Sequence, residues 1–169
     1  VLAGQLSVAQ PLRADSADRP NIILIFADDL GYGDVGCFDE ACPFETPQLD
    51  RMAVEGARLT SFYVPTPYCA PSRGTILTGR YPFRTDVGRW RKEPVIEDGQ
   101  VTIASLLKAQ GYRTAMVGKW HLGFRENGYD QPLPGGPVDV GFETFFGIRA
   151  STDIPPYFYI RGNRAVAPP

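Results

Sequence analysis

Histidine is nearly absent from this chain: His121 stands alone among 169 residues. A zinc site built on several imidazoles is therefore excluded. No apolar run approaches the roughly 18 residues that would span a bilayer, so no membrane crossing is expected. Neither sign of charge dominates, with 17 basic and 19 acidic residues and a formal net charge of −2. Acids and bases are interspersed and form no basic stripe, which argues against nucleic acid as a partner. Cysteine is scarce, with three copies. Cys37 and Cys42 flank Phe38–Ala41 and either form a local disulfide, if the protein is exported, or remain two thiols in a loop. On either reading Cys69 is the odd one out. No internal repeat or low-complexity tract is present.

What remains is ordinary globular material. The hydrophobic fraction is 43% and the charged fraction 21%, and the length suffices for one domain with a true core. The chain opens on Val1. Residues 1–9 end in Ser7-Val8-Ala9, a small-x-small pattern compatible with the tail of a secretory signal, although the charged region that opens such signals is missing. The alternative for residues 1–19 is a disordered leader, and residues 10–20, polar with two prolines, read as an unstructured arm.

Asn21–Ala27 is a short apolar run rich in β-branched residues, which predicts a strand buried on both faces. Asp28-Asp29-Leu30-Gly31-Tyr32-Gly33-Asp34 then reads as the loop leaving its carboxyl end. Thr46-Pro47 starts a helix carrying Leu49, Met52 and Ala53 and ended by Gly56. Arg58–Val64 predicts a second strand. A helix follows from about Ala70 to Thr78, with Pro71 in its first turn. Thr102 caps a helix carrying Ile103, Leu106 and Leu107, closed by Gly111. Thr114–Gly118 predicts another buried strand, with Lys119-Trp120-His121 just beyond it. This alternation predicts an α/β fold with a mostly parallel sheet flanked by helices. In such folds the active site gathers at the carboxyl ends of strands.

Two adjacent carboxylates at a strand end, Asp28 and Asp29, repel each other unless a cation neutralises them, and hard oxygen donors suit Ca²⁺ or Mg²⁺. A solvated loop would read the same way from these two residues alone. Cys69 has three readings. One is a buried structural cysteine. Another is a thiolate nucleophile, but Ala70-Pro71-Ser72 is too short an interval before Arg73 for a cysteine-phosphatase loop. The third comes from Cys69-Ala70-Pro71-Ser72-Arg73 followed by Gly74–Arg80, which resembles the signature of the type I sulfatases. Gly118-Lys119-Trp120-His121-Leu122-Gly123 resembles the second signature of the same family. Gly141-Phe142 through Phe146-Gly147 also fits it, although core packing is the default for Phe142, Phe145 and Phe146. Trp120 reads as packing and Arg80 as a structural ion pair. Tyr157, Tyr159 and Arg161 are open candidates for a substrate mouth.

The resemblance runs from about Pro20 to Asn163 and has definite implications. The fold would be alkaline-phosphatase/sulfatase-like, with residues 20–169 as the N-terminal part of a catalytic domain that is incomplete at its C-terminus. Cys69 would be oxidised to formylglycine by the formylglycine-generating enzyme, which recognises Pro71 and Arg73. The hydrated aldehyde would attack sulfur through one hydroxyl and expel the alcohol, then expel sulfate by C–O cleavage when the other hydroxyl is deprotonated, restoring the aldehyde. Ca²⁺ would be held by Asp28, Asp29 and residue 69. Arg73 would bind the hydrate, Lys119 the sulfate oxygens, and His121 would take the proton. Substrates would be aryl or carbohydrate sulfate monoesters, met in an exported compartment. Two other readings remain. One is a phosphonate monoester or phosphodiester hydrolase of the same superfamily. The other is a truncated, non-catalytic binder of sulfated glycans. Because the resemblance also implies later metal ligands, a histidine and a lysine beyond Pro169, these residues alone are expected to turn over little substrate and to leave an apolar sheet edge.

Overall fold

The computed structural model describes residues 19–85, 87–88 and 90–169. The expectations for a leader thus fall, apart from Arg19, outside the described residues. The chain forms two compact units divided after Glu55, and each is treated by itself.

In the first unit, α1 spans Pro47–Glu55, where the Thr46-Pro47 start predicted it. The loop before it is organised by short polar side chains. Asp34 Oδ2 accepts from the N–H of Gly31 at 2.7 Å and closes a 3₁₀ turn over Tyr32–Asp34. Asp50 Oδ1 accepts from Cys37 N at 2.7 Å and from the Thr46 hydroxyl at 3.0 Å. Carboxylates near a helix start satisfy backbone donors that nothing else reaches. Cys37 and Cys42 carry thiols, and Cys42 Sγ donates to the carbonyl of Phe44 at 3.3 Å.

The second unit holds α2 (Cys69–Thr78), α3 (Pro82–Thr85), α4 (Ile103–Ala109) and the strands β1 (Ala115–Lys119), β2 (Thr144–Ile148), β3 (Tyr159–Arg161) and β4 (Arg164–Ala165). α2 ends on Gly79 in the left-handed region, a common helix stop. Thr102 caps α4 as expected: its hydroxyl accepts from Ser105 N at 3.0 Å and donates to Val140 O at 2.5 Å. The core joins α2, through Ala70 and Leu77, to Trp120, Leu122, Phe124, Leu133, Phe145 and Ile160.

The α/β class holds, but the sheet is mixed. Its order is β1-β2-β3-β4. β1 pairs with β2 in parallel, whereas β2–β3 and β3–β4 are antiparallel. The long crossover through residues 120–143 permits a parallel pair. The tight turn at Gly162-Asn163 can only reverse the chain. Two expected strands are not strands. Residues 21–27 and 58–64 lie outside every ladder, and their side chains are largely exposed, with Ile23 at 84% and Tyr63 at 83%. A strand exists through its hydrogen-bonded neighbour, and an apolar run names the demand for burial without supplying that neighbour.

Candidate active site

Cys69 is the first residue of α2, with Tyr68 as the extended N-cap. Its neighbours are fixed. Ser72, buried, donates from its hydroxyl to Thr66 O at 3.0 Å, tying the loop before the cysteine to the helix. Residue 69 therefore sits at the positive end of a ten-residue helix, an environment that favours a developing anion.

Arg73 lies one turn further along α2. Its Nη1 donates to the carbonyl oxygen of Lys119 at 2.5 Å. Lys119 is the last residue of β1, so this bond joins the first sequence motif to the second within the same unit. Arg73 and Lys119 are both half-buried.

Beyond β1 the chain makes a tight, closely packed turn. Trp120 N donates to Ile148 O and His121 N to Arg149 O, both at 3.0 Å, extending the β1–β2 contact past the last ladder residue. Trp120 is buried, as its packing role predicts, and its indole N–H donates to Gly123 O at 2.8 Å. Gly123 has a φ of +79°, and a Cβ there would lie 1.9 Å from Glu93 O. The closing glycine of the Lys119–Gly123 motif is thus required by both conformation and space.

His121 is buried, at 5% exposure, and its φ is +62°. Asp29, in the first unit, has a φ of +59°. Among the described residues these are the only non-glycine positions with positive φ. Backbone held in this sparsely populated region tends to gather at functional sites, and both residues were singled out from sequence. Asp28 and Asp29 are exposed on the loop that follows the apolar run 21–27, offering oxygen donors of the kind a hard cation takes.

Sequence reasoning missed two features next to these motifs. Asp153 has its carboxyl held below the ordinary 3.8 by a hydrogen bond from Ser151, by its own backbone N–H, and by the charges of Lys119 and His121. A second group, Trp90, Glu126 and Arg149, packs behind His121, with Trp90 and His121 ring centroids 6.2 Å apart. No signal in the sequence could have found it, because its members are scattered and carry no motif. Burial, with Glu126 beside it, pushes the Tyr129 phenol up from its ordinary value. Of the aromatic cluster at 142–146, Phe145 is core, while Phe146 faces outward and stacks on Tyr159 with centroids 5.6 Å apart.

These features define an α/β protein whose strand-end turn and helix start bring a cysteine motif and a Lys/His motif onto one structural frame. The family model described as Sulfatase matches residues 20–164, and the chain belongs to the sulfatase family. It is 45% identical over 156 residues to arylsulfatase A of Homo sapiens, covering 90% of this chain and 28% of that protein. It is 36% identical over 172 residues to an N-acetylgalactosamine-6-O-sulfatase of Bacteroides thetaiotaomicron, covering 98% and 34% respectively. A solved structure from a study of glycosaminoglycan metabolism by that bacterium superposes with a TM-score of 0.79 at 37% identity, over 88% of this chain and 32% of that one. The chain thus spans about a third or less of the length of these relatives.

Proposed function

We propose that this chain carries the nucleophile and the first sulfate contacts of a sulfate monoester hydrolase acting on aryl or carbohydrate sulfates. The observation that best supports this is the bond from Arg73 to Lys119, which couples the two sulfatase motifs inside a chain of that family.

In this reading Cys69 matures to formylglycine, whose hydrate supplies one hydroxyl to attack sulfur and displace the substrate alcohol, and a second whose deprotonation releases sulfate by C–O cleavage and restores the aldehyde. Asp28, Asp29 and residue 69 would hold Ca²⁺, which would supply positive charge for the hydrate and the sulfate oxygens. The donors fit such an ion: two exposed carboxylates on one loop, one of them on a constrained backbone. The start of α2 faces negative charge arising at residue 69. Arg73 orients the hydrate with the planar donor fork of its guanidinium. Lys119 neutralises sulfate oxygens, and His121 accepts the proton of the second hydroxyl. Maturation would involve the formylglycine-generating enzyme, and the working compartment would be an exported one. No helix among the described residues is long and apolar enough to cross a membrane.

The test is mass spectrometry of the tryptic peptide Leu59–Arg73 after co-expression with the formylglycine-generating enzyme, followed by assays of the full-length protein on nitrophenyl sulfate and nitrophenyl phosphonate esters. An aldehyde at position 69 with preference for the sulfate ester is expected. An unmodified cysteine would remove the nucleophile from the reading. Preference for the phosphonate would transfer the protein to that chemistry.

A further inference from the structure

His121 is gripped from two directions by one residue. Its backbone N–H donates to Arg149 O at 3.0 Å. Its ring lies against Trp90, with centroids 6.2 Å apart and a tilt of 53°, and the Arg149 guanidinium lies over that same indole, Cζ 5.3 Å from the ring centroid.

Arg149 is itself immobilised. Nη1 donates to Glu126 Oε1 at 2.9 Å and Nη2 to Pro155 O at 2.6 Å. The side chains of Arg149 and Glu126 are 5% and 2% exposed. The other carboxylate oxygen of Glu126 accepts from the Tyr129 hydroxyl at 3.1 Å and faces Lys92 Nζ at 3.4 Å. A planar guanidinium, fixed at both ends of its fork, is a rigid plate on which an aromatic ring stacks.

A buried ion pair seldom adds stability over an apolar filling of equal size, because desolvating both charges offsets their attraction. A reason for this one lies in what it holds. We propose that Arg149 and Glu126, acting through Trp90, are positioning residues for His121: the ion pair locks the indole, and the indole locks the imidazole on its left-handed backbone. Two further charged groups act near His121: Lys119, two residues upstream, and Asp153, whose carboxyl feels both. Neither is part of the lock. The proposal rests on the reading that His121 acts at the site, but its test does not use a sulfate ester.

His121 is the only histidine in the chain, so the tag-free protein gives a single imidazole signal set in NMR. The double variant Glu126→Gln/Arg149→Met removes both charges together and leaves neither buried alone. It should broaden the His121 ring signals by about two-fold or more as the ring gains alternative positions, while the amide signals of β1 and β2 stay in place. Arg149→Lys, which keeps the charge but loses the flat stacking surface, should fall between. Unchanged His121 signals in the double variant would overturn the proposal. Should that variant fail to fold, Trp90→Phe and Trp90→Leu decide: a narrow ring signal in Phe and a broadened one in Leu is expected, and equal widths would overturn it. A failed sulfatase reading would instead show at Cys69 and in the ester assays, with the His121 ring still ordered.

Discussion

Arg73 Nη1 meets the backbone carbonyl of Lys119 at 2.5 Å, so a helix side chain from one motif fixes the strand end that presents the other. Replacing Arg73 with Met should cost about 1.5–3 kcal/mol, the range for a hydrogen bond with a charged donor. A urea midpoint shift with unchanged slope would measure it. Arg73→Lys should recover only part, since an ammonium lacks the guanidinium fork. A midpoint unmoved in the Met variant would show that the bond does not hold the two motifs.

Gly123 allows no side chain. Its φ of +79° and the 1.9 Å approach of Glu93 O to a hypothetical Cβ predict that Gly123→Ala destabilises by at least ~2 kcal/mol, through strain and displaced backbone together. Thermal melting reads this directly. Gly79→Ala is the control: φ is +66° there, but no atom lies within 4 Å, so it should cost less.

Ser151→Ala should raise the pH at which Asp153 titrates, because the Ser151 hydrogen bond is the largest cause of its lowered value. The sign follows from linkage. A carboxylate with a depressed folded value contributes stability above its ordinary 3.8 and loses it as pH falls through the lower folded value. Side-chain carboxyl NMR across that acid range is the measurement. An unchanged titration in the alanine variant would assign the shift to the backbone N–H of Asp153 and to Lys119 and His121 instead.

Among the described strands β1 has one neighbour, β2, and Val117 on it is 80% exposed. An open apolar edge invites pairing with another chain. Val117→Lys should reduce self-association in light scattering while leaving the melting temperature nearly unchanged, since the side chain packs against little.

The local elements were legible from local chemistry. Thr46-Pro47, Thr102 and the glycines after α1 and α4 mark helix ends because caps act within one turn. β1 was legible as a strand from its short apolar run, but the burial expected of it does not hold: none of Ala115–Lys119 is buried and Val117 is 80% exposed, because the pairing partner on that side is absent among the described strands. The runs at 21–27 and 58–64 misled because apolarity and β-branching describe a strand's needs, while hydrogen-bonded partners come from elsewhere in the chain. The mixed sheet was hidden for the same reason: direction is set by the connection, and only the turn at Gly162-Asn163 declares it locally.

The sequence by itself named the residues proposed to carry chemistry: Asp28 and Asp29, Cys69 with Arg73, and Lys119 with His121, each in a motif short enough to be read along the chain. Tertiary structure alone decided how the residues of the second unit are held. The Arg73–Lys119 bond, the turn closed against Glu93, and the Glu126–Arg149–Trp90 support behind His121 all join positions far apart in sequence. Such contacts depend on distances in the folded chain, and no periodicity, spacing or composition encodes those distances.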